Sequence, residues 1–289
     1  MNPSRGADVA LSPSEAMRLI KAADEALAAR KVDVAMQCYR RVIELEPKAL
    51  RPRLGLYRSA VLGLRRDEAL AVYGDIRDRK DLPWFERFAI AKGLEEVDAY
   101  AEAEAEYLRY LDHCPEDAEA HRRRAALAHR RWEALAAVRG GMREAEVALC
   151  DAKIALRTVI ALEPEDAAAH MNLAALWVDE GVSVEGAIVD DIASRALKTA
   201  LRSIELNPQN EGAYKVLGDV HLSLRAAYAE AIAAYEKALA IDPHYADARA
   251  MVGVTYLKMG NEDEAREVFE HVLRDDPTNE TAQQNLSNI

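Results

Sequence analysis

Residues 246–279 read ADARAMVGVTYLKMGNEDEAREVFEHVLRDDPTN, and the fold follows from what that stretch shares with the rest of the chain. Gly253 and Ala265 are small, Phe269 is bulky, and Pro277 closes the segment. Small residues on two neighbouring helices let their axes approach, and a bulky residue fills the space beside them. A proline after the second helix cannot continue it and fixes the turn that follows.

Outward from this stretch, runs ending in proline recur: YRRVIELEP to Pro47, YLRYLDHCP to Pro115, LRTVIALEP to Pro164, LRSIELNP to Pro208 and YEKALAIDP to Pro243. Pro243 and Pro277 are 34 residues apart, and Pro47 and Pro115 twice that. The frame gives units 16–49, 50–83, 84–117, 118–166, 167–210, 211–245 and 246–279. The eighth position is Ala23, Tyr57, Ala91, Ala125, Ala174, Gly218 and Gly253 in turn. The twentieth is alanine throughout: Ala35, Ala69, Ala103, Ala152, Ala196, Ala231 and Ala265. The twenty-fourth is Tyr39, Tyr73, Tyr107, Leu156, Ala200, Tyr235 and Phe269.

A helix–turn–helix unit of this period resembles the tetratricopeptide repeat, most closely at Gly253, Tyr256, Gly260, Ala265, Phe269 and Pro277. The resemblance implies an all-α, right-handed α-solenoid of about seven units spanning 12–279, with 280–289 as a capping helix or tail. Residues 1–11 read as a flexible leader, and Ser12, Pro13 and Glu15 as the N-cap, first turn and capping box of the first helix. Three departures stand out. Tyr57 replaces a small residue, and Asp81 stands where proline belongs. Unit four is long, which predicts helices over about 118–138 and 142–163 around a turn at Arg139–Gly141. Unit five carries an insertion at 181–191, read as a longer loop or an added helical turn.

Composition agrees with an all-α class. Half the residues are hydrophobic but only 6% aromatic, and Gly and Pro number 13 and 10. A formal net charge of −12 disfavours binding to nucleic acid or anionic lipid, which need a basic footprint. Cys38, Cys114 and Cys150 form no motif and point to a reducing, cytoplasmic setting. Neither a membrane-spanning run nor a signal peptide is evident.

In the family resembled, the first helix of each unit lines the concave face. The matching positions here are Lys21, Arg51, Arg58, Lys92, Arg122, Arg123 and Arg130 in the early units. The later units supply Met171, Asn172, Val178, Lys215, Val216, Leu222, Met251, Val254 and Leu257. The implied groove is basic toward its N-terminal half and more apolar toward its C-terminal half. It suits an acidic or C-terminal peptide with an apolar anchor. An equally open reading pairs those arginines with neighbouring glutamates. A carboxylate clamp of the chaperone-binding kind is not completed: Asn172 fits one position, but Gly212 and Val216 occupy the companion ones.

No catalytic residue, metal site or cofactor is expected. His121 and His129, eight apart, lack a third ligand at metal spacing and read as surface residues. Glu102, Glu104 and Glu106 read as a solvated helix face, and Cys150 as buried. The expected function is that of a non-catalytic adaptor or scaffold. A homo-oligomeric assembly protein, or an accessory subunit of a larger complex, is the alternative.

Overall fold

The chain is described by a computed structural model over residues 13–138, 142–184 and 188–289. The leader 1–11, the Ser12 cap, the Arg139–Gly141 turn and residues 185–187 of the insertion lie outside the described residues. Among the described residues the regular structure is entirely helical. The chain divides into two compact units, Met1–Ala120 and His121–Ile289.

The first unit holds α1 (Pro13–Ala28), α2 (Val32–Leu45), α3 (Arg51–Leu62), α4 (Arg66–Ile76), α5 (Trp84–Glu96), α6 (Tyr100–Leu111) and the start of α7 (Ala118–Ala136). The second continues with α7, then α8 (Met142–Leu162), α9 (Ala167–Val182), α10 (Ile188–Leu206) and α11 (Glu211–Asp219). A π-helical turn (Val220–Leu224) follows, and then α12 (Tyr228–Ile241), α13 (Ala246–Met259), α14 (Glu262–Asp275) and α15 (Glu280–Leu286). In the first unit α1, α3 and α5 touch in succession while each packs on its own second helix. In the second unit α9 touches α11, and α15 covers both α13 and α14. The fold is therefore an all-α succession of helix hairpins of the α-solenoid class.

The hairpins close where the sequence places small residues against large ones. Tyr39, Tyr107, Tyr235 and Phe269 are among the largest fully buried side chains, and Ala35, Ala69, Ala103, Ala231 and Ala265 are fully buried. Tyr57 is buried too, but it reaches forward: its hydroxyl donates to the Ile90 carbonyl at 2.6 Å. Gly93 makes the room, since a Cβ there would meet the Tyr57 hydroxyl at 2.8 Å.

The turns are coded locally. Asp117, Asp166, Asn210 and Asn279 each stand two residues after a proline and accept the amide of the residue three further on, at 3.0, 3.0, 3.2 and 3.0 Å. Such caps each contribute about 1 kcal/mol. Within the hairpins, Arg30, Leu64 and Asp98 recur 34 residues apart, as do Ala226 and Gly260, and all five have left-handed φ. The stretch 211–245 has one residue more than 246–279, and the π-helical turn absorbs it.

The long helices of unit four are present, with 19 residues in α7 and 21 in α8. The described part of the insertion lengthens α10, also 19 residues. Three expectations are corrected. Glu104 and Glu106 are buried, Glu106 completely, because the helix carrying them packs on two sides. Cys150 is exposed, because it shares the outward face of α8 with Val147 and Ile154, away from buried Ala148 and Ala152. His121 is buried, and His129 is half-buried beside Asp179.

Candidate functional site

In the first unit the basic side chains named from the sequence sit on the first helices, and most have carboxylate neighbours. Lys21 lies 3.9 Å from Glu25. Arg51 donates to Asp24 at 3.1 Å, and Arg58 to Glu86 at 2.7 Å, each bridging two successive first helices. Lys92 is exposed. These pairs are open to solvent, so each is worth about 0–1 kcal/mol. The first helices of this unit are thus arginine-rich but internally neutralised.

An aromatic side chain also stands exposed on these first helices. Phe85, on the first turn of α5, is 59% exposed. Its neighbour Trp84 stacks on His113 with ring centroids 6.0 Å apart and lies 6.1 Å from Tyr110. The signal was available in WFERF (84–88), which holds three of the chain's six Phe and Trp residues.

In the second unit Arg122 donates from Nε to Asp166 at 2.8 Å and from its other arm to Glu163. Burial pushes the Asp166 carboxyl up, but the Ala169 amide and Arg122 outweigh it and hold it below the ordinary range. Arg123 is half-buried and Arg130 exposed. Met171, Val178, Met251, Val254 and Leu257 are partly open on α9 and α13, and Asn172 is exposed. Lys215 is half-buried and paired with Asp219 at 2.8 Å. Burial pulls the Lys215 ammonium down, yet Asp219 more than compensates and it titrates above the ordinary range.

Val216 and Leu222 cannot line a groove. Val216 is 8% exposed and packs with Ala174 and Ala200, while Leu222, 7% exposed, packs with Ala231, Tyr235 and Val252. Leu222 falls inside the π-helical turn, whose extra residue rotates it from the face an uninterrupted α-helix would give.

A second polar cluster lies away from these faces. Lys153, on α8, is buried and pairs with Glu180 at 2.6 Å. Its ammonium sits 4.6 Å from the centre of the Trp177 ring, with Arg157 and Arg195 at 5.1 and 5.4 Å. Among the described residues no group of three His, Cys, Asp or Glu side chains could hold a metal ion. No helix there is long and apolar enough to cross a membrane.

Comparisons with known proteins bear on the fold. No curated protein matches the chain in sequence. A tetratricopeptide-repeat protein from Parabacteroides merdae superposes with a TM-score of 0.61 at 15% identity, over 95% of this chain and 98% of its own. A thermophilic repeat protein of Thermus thermophilus gives 0.55 at 19% identity, over 71% and 98%. MamA of Desulfovibrio magneticus RS-1 gives 0.52 at 16% identity, over 68% and 97%. Two tetratricopeptide-repeat family models match residues 191–246 and 224–288 directly. Residues 191–288 thus match the tetratricopeptide repeat, and the helix hairpins before them are of the same α-solenoid class.

Proposed function

We propose that this protein is a non-catalytic adaptor that holds a segment of another protein along the first helices of its repeats. The observation that carries the reading is the contrast in the second unit between the faces of α9 and α13 and that of α14. Met171, Met251 and Val254 stay partly open on α9 and α13, with Asn172 exposed. The outward residues of α14 are instead Glu262, Asp263, Glu264, Arg266, Glu267 and Glu270. Half-open methionines adapt to varied apolar side chains, which suits an anchor for an extended or helical segment.

Acidic residues would meet Arg51 and Arg58 in the first unit, or Arg122 in the second, already paired within the chain. Exchanging one carboxylate for another there is close to neutral, so charge sets register more than affinity. Phe85 joins the lining as an aromatic anchor in the first unit. The unpaired Cys38, Cys114 and Cys150 support a cytoplasmic setting.

Site-specific photo-crosslinking tests the reading. A photoreactive residue in place of Met251 should capture one protein from native lysate, and Met171→Glu should abolish the adduct. The same probe at Glu270 should capture none. Equal yields at both positions would overturn the proposal.

A further inference from the structure

The first helices of the second unit carry charge in a pattern that their apolar residues frame. On α11, Glu211, Lys215 and Asp219 recur every four residues and so share one face. On α13, Asp247 stands one turn before the half-open Met251. Met171 of α9 leans on the start of α11: Asn210 Nδ2 lies 3.6 Å from its sulfur, and a Cβ on Gly212 would stand 2.9 Å from it. Glu211 lies between those two residues in sequence, so an acidic residue adjoins each methionine.

Carboxylates outnumber cations here. Lys215 and Asp219 satisfy each other at 2.8 Å, and the Tyr235 hydroxyl donates to the same carboxylate at 2.8 Å. Among the described residues Glu211 and Asp247 form no ion pair, and Asp247 takes only the Asn279 amide, at 3.3 Å. Their fields meet at Tyr245: burial raises its hydroxyl above the ordinary range, Lys215 draws it down, and Asp247, Asp219 and Glu211 push it up again. The other cations of α13 are elsewhere. Arg249 is drawn off to Asp275 and the Pro243 carbonyl, and Lys258 stands in the last turn, about 16 Å along the helix from Asp247. An acidic segment on this face would set like charges against two uncompensated carboxylates. A wholly apolar one would take both out of water without a counter-charge. The chain's −12 adds a longer-range attraction for a basic segment.

We infer that the segment held on α9, α11 and α13 is basic and apolar, with a lysine or arginine of the partner between Glu211 and Asp247 and its apolar neighbours on Met171 and Met251. This rests on the proposed holding function and names the chemistry of what is held.

Selection of random peptides, about twelve residues long and displayed on phage, against the full chain tests it. Peptides retained by the wild-type chain and lost with Met171→Glu are those held on this face. They should be enriched in lysine and arginine beside apolar residues and depleted in aspartate and glutamate. The most enriched of them, synthesised and followed by fluorescence anisotropy, should bind Glu211→Lys/Asp247→Lys at least about tenfold more weakly, with unchanged helical circular dichroism. Asp247→Asn, which keeps an acceptor for Asn279, should weaken it by less. Replacing the peptide's basic residues with glutamate should restore binding to the doubly substituted chain. Met171-dependent peptides without a basic excess, or a basic peptide indifferent to both sets of substitutions, would overturn the inference and leave the holding function standing. No Met171-dependent peptide at all would overturn both.

Discussion

The ring of Phe269 lies against the backbone of Gly253, so close that a Cβ on that glycine would stand 2.7 Å from it. Tyr235 is seated on Gly218 in the same way. Gly253→Ala gains about 1 kcal/mol of helix propensity. It forces apart a contact with no spare volume, which costs about 1–3 kcal/mol. The expected net result is destabilisation, read as a lower urea midpoint with an unchanged slope. Gly253→Ala together with Phe269→Leu should recover part of the loss.

Glu106 is fully buried and accepts Tyr73 at 2.9 Å, Arg87 at 2.6 Å and Arg109 at 2.7 Å. Removing its charge leaves two guanidiniums without their shared counter-ion. Glu106→Gln should cost about 3 kcal/mol, at the low end for a buried pair because Arg109 can turn to water. Arg109→Ala alone should cost less. Thermal unfolding of the two variants decides the order.

Leu64 and Ala226 hold left-handed φ of 52° and 49°, while Gly260 holds 83°. A side chain in that region is strained by about 1 kcal/mol or more. Leu64 is 72% exposed, so replacing it loses little packing. Leu64→Gly should leave stability unchanged or raise it by up to about 1 kcal/mol, and Gly260→Ala should lower it by a similar amount. Opposite signs in denaturant titration are the expected outcome.

His129 on α7 is held to Asp179 on α9, and that hydrogen bond raises its pKa above the ordinary value of 6.5 against the opposing effect of burial. A raised histidine binds its proton more tightly in the folded state. Its contribution is complete below about pH 6.5 and disappears as pH climbs through the folded pKa. The melting temperature should therefore fall between about pH 6 and pH 8 by more than in Asp179→Asn. Parallel pH profiles of the two proteins would contradict this.

The fold was legible because its determinants are local and periodic. The alanines at Ala35, Ala69 and Ala103, the large residues that fill the space beside them, and the prolines that end the hairpins can be read one unit at a time. The π-helical turn was announced only by a single surplus residue. The site was less legible because availability depends on partners far away in sequence. Arg51 finds Asp24 27 residues back, Arg58 finds Glu86 28 on, and Arg122 finds Asp166 44 on. Glu106 has the helical spacing of a surface acid and is buried only because Tyr73 of α4 and Arg87 of α5 close over it. Phe85 could have been found, since it holds a lining position and belongs to the densest aromatic stretch in the chain.

Hydrogen exchange with the co-purified partner bound and absent tests the central claim most directly, that the first helices hold it. The account predicts slowed exchange in α9, α11 and α13 on binding, with α10, α12 and α14 little changed. Protection confined to α10, α12 and α14, or none in this unit, would contradict it.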